Sequence, residues 1–310
     1  MTPPGRIAAL VGPTASGKTA LAVALRRDHG LPVEAINVDA LQVYRRLEAG
    51  TARPTAAERA ALPYHLVDVA EPTEAMDAAR YLALADAALA EVAGRGAWPL
   101  LVGGTGLYLR AVLRGLAAVP PVPAALRQAM AEAWNERGSK ALHAELSAAD
   151  PVYAAATPPQ NRQRVLRALE VWHASGRPFS SYHADHAALP DRYTCWIAVL
   201  APDPATRTER IDARAEAMAG PLLAELAQLL AEGVPLTAPA MLALGYREAA
   251  AALESGTSTA EFAGILAQAH RQYAKKQATW FRGIQAQRRL PDASPESVAL
   301  LATDMKAWFL

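Results

Sequence analysis

Gly12-Pro13-Thr14-Ala15-Ser16-Gly17-Lys18-Thr19 follows the apolar run Ile7–Val11 and opens the helix-patterned stretch Lys18–Arg27. Strand, glycine-bounded loop and helix in that order satisfy G-x-x-x-x-G-K-[ST] in the context the pattern requires. Glycines let backbone N–H groups converge on phosphate oxygens, the helix N-terminus adds partial positive charge, and Lys18 adds a full one. The Thr19 hydroxyl is placed for a magnesium ion, Mg2+. The segment therefore predicts that all eight residues bind a diphosphate or triphosphate. It does not choose the reaction, because kinases, ATPases and GTPases share the loop and a nucleotide such as ATP would also fit it. A hydrolytic motor adds a hydrophobic run ending in Asp-Glu. Leu66-Val67-Asp68 is too short to be one, and Asp68 reads equally as a strand cap.

Outward from the loop, apolar runs alternate with helical patterns. Val33–Val38, Tyr64–Val69 and Leu100–Val102 read as further strands, and Ala79–Val92 carries a helix stripe between the last two. Alternation of this kind predicts α/β architecture: a P-loop NTPase-like parallel sheet with ligands at the strands' carboxyl ends. Near Val119-Pro120-Pro121-Val122-Pro123 the pattern changes, and Ala124 to His186 reads as helical. Tyr193–Leu200 then reads as one more buried strand, followed by helices over Pro204–Leu230, Gly245–Glu254 and Thr259–Gln287. The expected organisation is a catalytic core of 1–116 plus 193–310 with a helical insertion domain at 117–192.

Composition bounds the rest. Hydrophobic residues make up 52% and charged residues 20%, which predicts a packed core rather than disorder. One cysteine, Cys195, excludes an internal disulfide and fits a reducing cytosol. No signal peptide or bilayer-length apolar stretch is readable, so the expectation is a soluble, cytoplasmic protein with no membrane partner. His173, His183 and His186 lie close in sequence but lack carboxylate or thiol companions at metal spacing. A net charge of +1 does not mark a nucleic-acid binder, yet Phe262 to Pro291 contains no Asp or Glu and six cations. These are Arg271, Lys275, Lys276, Arg282, Arg288 and Arg289, and local basic surface is what a phosphate backbone responds to.

Six blocks in order resemble the tRNA dimethylallyltransferases, the isopentenyl transferases that modify adenine beside the anticodon. After the phosphate loop comes Asp39-Ala40-Leu41-Gln42-Val43-Tyr44-Arg45, then Gly50-Thr51-Ala52-Arg53-Pro54, similar to the family's Asp-Ser-x-Gln-Val-Tyr-Arg and Gly-Thr-Ala-Lys-Pro. The likeness continues at Gly103–Tyr108, at Gln163-Arg164-Val165-Leu166-Arg167 and at Gly245-Tyr246-Arg247. It ends at Lys275-Lys276-Gln277-Ala278-Thr279-Trp280-Phe281-Arg282, so the blocks extend over about nine-tenths of the chain. Two positions depart: Ala40 stands where the family has serine, removing a hydroxyl, and Arg53 where it has lysine, keeping charge but changing geometry.

The resemblance implies transfer of a dimethylallyl group from dimethylallyl diphosphate to N6 of adenine 37 in tRNAs reading codons that start with U. The phosphate loop, Lys18 and magnesium through Thr19 would neutralise the departing diphosphate. Adenine's amine is a poor nucleophile because its lone pair is delocalised, so a base must take its proton. Asp39, at the carboxyl end of a strand, suits that role; the alternatives for such an aspartate are to cap a loop or to hold magnesium through water. Arg214 resembles a family arginine that clamps the diphosphate, with Arg210 competing for the assignment. Thr105 resembles a residue met where the base enters, although its turn alone could be a tight strand-to-helix connection.

The same resemblance implies that the anticodon stem-loop of tRNA meets Asp39 to Gln42, Thr105, Gln163 to Arg167, Gly245 to Arg247, Lys275 to Arg282 and, from the insertion, Arg127. Arg164 and Arg167 share one helix face, and Arg271, Lys275 and Arg282 another. Tyr273, Trp280 and Phe281 could stack on bases or fill a core. The expected assembly is a monomer. Three rivals share parts of the pattern: a transferase acting on free adenine nucleotides, a small-molecule kinase, and a non-enzymatic RNA-binding module. The RNA-facing blocks, the lack of a lid arginine cluster, and Lys18-Thr19 with Asp39 count against them in turn.

Overall fold

The computed structural model describes residues 5–310. Its strands are β1 (Arg6–Val11), β2 (Val33–Val38), β3 (Tyr64–His65), β4 (Trp98–Gly103), β5 (Thr194–Leu200) and β6 (Arg288–Leu290). They form one all-parallel sheet in the order β3-β2-β4-β1-β5-β6. The inner strands are largely apolar because both faces are covered; all of Val33–Val38 is buried, including Glu34 and Asn37. From β1 the chain crosses to β2 on one side, and from β4 it leaves for β5 on the other. The crevice between β1 and β4 is thus the place where such a sheet takes its ligand.

The first helices are α1 (Lys18–Arg27), α2 (Ala56–Ala61), α3 (Ala78–Gly94) and α4 (Gly106–Arg114). Then follow α5 (Ala124–Ala149), α6 (Pro151–Ala155), α7 (Arg162–Ser175) and α8 (Phe179–Ala187). The last four are α9 (Pro204–Ala231), α10 (Tyr246–Ser255), α11 (Thr259–Arg282) and α12 (Pro295–Phe309). Leu21 and Leu25 of α1 pack with Leu301 and Met305 of α12 on one face of the sheet. Tyr81 and Leu89 of α3 pack with Leu109 of α4 on the other. Beside this sandwich α9, α10 and α11 enclose their own core around Leu222, Tyr246, Phe262 and Leu266.

Two compact units result: residues 1–113 with 192–310, and residues 114–191. The second is helical throughout, α5 to α8 closing over Leu142, Leu146, Val165, Leu169 and Phe179. Gly138, at φ +76°, breaks α5 in the middle.

Four elements differ from the sequence reading. The expected strand Tyr64–Val69 pairs only at Tyr64 and His65. Leu66 and Asp68 turn into the left-handed region at φ +63° and +57°, and the Asp68 carboxylate receives Arg53 and Arg59. The expected helix Thr259–Gln287 stops at Arg282, because Gln287 exchanges two hydrogen bonds with the backbone of Ile197 on β5. That contact begins β6, which the sequence reading missed along with α12. Ser294 caps α12 and Pro295 occupies its first turn, a start signal legible in Ser-Pro-Glu. Among the described residues no helix is long and apolar enough to cross a membrane.

Candidate active site

The phosphate loop leaves β1 and enters α1 as the motif requires. Gly17 adopts φ +97°, a conformation open to glycine at little cost, and so aims the first amides of α1 into a cavity. That cavity, of about 460 Å3, is lined by Thr14 to Thr19, by Asp39 to Gln42 after β2, and by Gly103 and Gly104 after β4. Arg214 of α9 and His270, Tyr273 and Gln277 of α11 close it. Residues more than 200 positions apart in sequence thus meet at the crevice the topology defines.

At the loop end the charge is positive. Lys18 donates to the Pro13 carbonyl at 2.8 Å and reaches the Ser16 hydroxyl at 3.4 Å. Burial pulls its pKa down to about 8; the charge of Asp39 opposes that shift and the charge of Arg214 adds to it. Arg214 donates to the Thr14 hydroxyl at 3.4 Å, and burial lowers its pKa against the pull of Asp39. Arg210 is exposed and lies outside the cavity, so the two arginines of that segment are placed differently. Neither Lys18 nor Arg214 has a carboxylate within ion-pair distance among the described residues.

At the other end Asp39 Oδ1 accepts the backbone N–H of Leu41 at 2.9 Å and that of Gln42 at 3.4 Å. Its Oδ2 takes no hydrogen bond among the described residues. The Thr105 hydroxyl accepts the Ala40 N–H at 3.1 Å, tying the turn after β4 to the Asp39 loop. Beneath, the Tyr81 hydroxyl donates to the Asn37 carbonyl at 2.8 Å, and its ring stacks on Tyr108 at 3.8 Å. The strand end that carries Asp39 is therefore held from two sides. Tyr273 lies beside Thr105 and Gln277, and burial, assisted by the Asp39 charge, pushes its pKa up to about 12.

Gln277 joins the two ends. Its Oε1 accepts the Thr14 N–H at 2.8 Å and its Nε2 donates to the Gly104 carbonyl at 2.8 Å. His270 lies one turn from Tyr273, buried, its pKa lowered to about 4 by burial and by Arg214. The Tyr64 hydroxyl is buried beside Thr19 without a hydrogen bond of good geometry. Sequence reasoning missed Tyr64, Tyr81 and His270, since only long-range packing brings them here.

Other residues named from the sequence fall elsewhere. Tyr246 is buried and donates to Glu225 at 2.5 Å; Gly245 starts α10, its N–H bonded to Glu248; Arg247 is exposed and paired with Glu248. Phe281 is buried, while Lys275, Lys276, Thr279, Trp280 and Arg282 are exposed on α11 and Ala278 is half-buried. Of the cations counted toward the basic surface, Arg271 pairs with Asp212 and Arg288 with Asp304; Arg53 pairs with Glu48 and Asp68. In the helical unit Gln163, Arg164 and Arg127 are exposed and Arg167 half-buried, whereas Val165 and Leu166 face its core. Arg127 and Arg167, 40 positions apart, come together over Glu170.

A parallel sheet with a phosphate loop at its crevice, and a carboxylate facing that loop across one cavity, defines a P-loop-like group-transfer enzyme. The chain belongs to the tRNA dimethylallyltransferase family and is a prenyltransferase that modifies tRNA. A family model described as IPP transferase matches residues 42–284, and one described as isopentenyl transferase matches residues 5–66. The tRNA dimethylallyltransferase of Anaeromyxobacter sp. (strain Fw109-5) is 50% identical over 278 residues, covering 89% of this chain and 91% of that one. That of Methylibium petroleiphilum is 47% identical over 304 residues, covering 94% and 92%. Among solved structures, the full-length tRNA isopentenylpyrophosphate transferase from Bacillus halodurans superposes with a TM-score of 0.69 at 31% identity. It covers 99% of this chain and 97% of that one.

Proposed function

We propose that the chain transfers the dimethylallyl group of dimethylallyl diphosphate to N6 of the adenine at position 37, in tRNAs reading codons that start with U. One observation carries the mechanism: Asp39 stands across a single cavity from Lys18 and Arg214, close enough to act on the titration of both. The diphosphate sits on the phosphate loop between those two cations. As the allylic C–O bond breaks, negative charge grows on the departing oxygen, and cations already in place stabilise it without reorganisation. The extruded adenine enters at Thr105 with its amine toward Asp39. Asp39 Oδ1 is held by two backbone amides, which leaves Oδ2 to accept the N6 proton as the new C–N bond forms.

Magnesium fits the cavity's donors. No group of three or more His, Cys, Asp or Glu side chains converges among the described residues. Mg2+, however, takes only one or two protein oxygens and fills its shell with phosphate and water, and Thr19 and Asp39 offer such oxygens. When bound, the ion supplies further positive charge to the diphosphate; Thr19 would hold it. The working unit in this reading is a monomer.

RNA is gripped by the exposed cations of α11, Lys275, Lys276 and Arg282, and by Arg127, Arg164 and Arg167 of the helical unit. The test incubates the protein with labelled dimethylallyl diphosphate and unmodified tRNA, with labelled ATP in parallel. Prenylated adenine at position 37, confined to tRNAs for U-starting codons, is the expected product. Phosphoryl transfer from ATP, or prenylation of free adenine nucleotides instead of tRNA, would overturn the reading.

A further inference from the structure

Among the buried tyrosines of the sheet-bearing unit, Tyr81 donates to the Asn37 carbonyl and Tyr108 to that of Met76 at 2.9 Å. Tyr193 donates to Asp86 at 3.0 Å and Tyr246 to Glu225. Tyr64 differs. Its hydroxyl is buried and has no hydrogen-bond partner among the described residues. An unpaired buried polar group destabilises a fold, and one that lines a cavity points to something the cavity does.

Tyr64 opens β3 in register with Ala35 of β2, and its ring packs against the core that α1 and α12 form over the sheet. The hydroxyl ends beside that of Thr19, in the first turn of α1. Both residues line the cavity, as does Glu58 of α2. Burial, aided by the charge of Glu58, pushes the Tyr64 pKa up, so the phenol keeps its proton and can both donate and accept. The two hydroxyls are thus adjacent but not aligned.

Thr19 is the residue that would hold magnesium. A hydroxyl oxygen that gives a lone pair to a divalent cation becomes a stronger donor, so its proton needs an acceptor on the side away from the ion. Building on the proposed diphosphate site, we infer that Tyr64 is a positioning residue for this metal ligand: when Thr19 holds Mg2+, Tyr64 Oη accepts the Thr19 hydroxyl proton and fixes the direction of its lone pair. Outer-shell partners of this kind orient a ligand and raise its basicity. Tyr64 acts through Thr19 and touches neither diphosphate nor adenine. Its orphaned hydroxyl destabilises the unliganded protein and strengthens the loaded one.

Tyr64→Phe keeps the ring and removes only the oxygen. Two measurements separate positioning from a structural role: the melting temperature without ligand, and calorimetric titration with inorganic diphosphate, once in Mg2+ and once in EDTA. The unliganded variant should melt at or above the wild-type temperature, because an unpaired buried atom is gone. Its affinity for diphosphate in Mg2+ should fall about tenfold, the lower end of what loss of an outer-shell partner costs. Affinity in EDTA should match wild type. In a Thr19→Ala background, Tyr64→Phe should have no further effect, since its partner is already missing. Unchanged affinity in Mg2+, an equal loss in EDTA, a loss that adds to that of Thr19→Ala, or melting below wild type would each overturn the inference. Wild type whose diphosphate affinity ignores Mg2+, or which binds no diphosphate, would instead remove the reading on which it rests.

Discussion

The two ends of the cavity are prepared in opposite ways. At the phosphate loop, Lys18 and Arg214 crowd together without a carboxylate to pair with among the described residues, and Lys18 is driven down to about 8 by burial with Arg214 adding to the shift. At the far end, one oxygen of Asp39, the hydroxyl of Thr105 and the strand beneath are already engaged by the protein's own groups. The first end is held in a state that an anion relieves. The second is held in a geometry that needs no further adjustment. In the proposed mechanism this division is sensible: charge must be waiting where the leaving group departs, and position must be fixed where a proton moves.

The sharpest break of this contrast is Asp39→Asn. Asparagine keeps an acceptor for the Leu41 and Gln42 amides but cannot take a proton, so turnover should fall by roughly 10²–10⁴ while tRNA and donor still bind. Single-turnover kinetics with both dissociation constants measured would check it. Loss of tRNA binding alone would make Asp39 a reader of adenine, and loss of magnesium affinity at full rate would make it a metal-shell residue. Lys18→Ala comes next. Removing a charge aimed at a developing anion costs on the order of 3 kcal/mol, or roughly 10²-fold in donor kcat/KM. Unchanged turnover would mean that the loop is not at the reacting centre.

Gln277 tests whether the two ends are independent. Gln277→Leu leaves the Thr14 N–H and the Gly104 carbonyl without their partner, at a cost of about 2 kcal/mol in stability. Because one side chain serves both ends, KM for donor and for tRNA should rise together. A change confined to one substrate would show the bridge to be structural only.

The pH response sharpens the comparison at the donor end. Lys18 has its pKa lowered to about 8, so the unliganded site loses this charge as pH rises through that value, and a bound diphosphate raises the pKa again. Donor affinity should therefore be nearly flat below about pH 8 and weaken above it by at most tenfold per pH unit. Lys18→Arg should remove the dependence; persistence in that variant would assign it to another group. The smallest effect belongs to the outer face of α11. Lys275 and Arg282 replaced together should weaken tRNA binding a few-fold and lower its salt slope by up to about two, with donor affinity unchanged.

What could be read from the sequence was what is local. The phosphate loop, β2 and α1 follow from runs of neighbouring residues whose periodicity and glycine placement decide their conformation, and all three stand where the sequence put them. Elements governed by distant partners were misread. β3 is cut short because Asp68 bends away to meet two arginines, and α11 ends early because Gln287 is claimed by β5. The same holds within the cavity. Motif residues such as Lys18 and Asp39 announced themselves, whereas the bridging of Gln277 and the burial of His270 and Tyr64 exist only once α11 and β3 have packed against the loop. Charge counting overstated the basic surface for a similar reason, since Arg271 and Arg288 have carboxylates that lie 59 and 16 positions away.

The placement of α12 bears on how this chain is made. Its residues Leu301 and Met305 seal the face of the sheet that α1 covers, and Trp308 donates to the carbonyl of Ile7 at 3.1 Å. The strand that launches the phosphate loop therefore leaves the ribosome well before the helix that covers it. At roughly 5–20 residues per second, an interval of about 15–60 s separates them. During that time the helical unit can close on its own contacts while β1 waits, exposed and apolar, for partners not yet synthesised. The nascent chain's exposure to aggregation and to chaperones during that interval thus falls on the strand from which the phosphate loop departs.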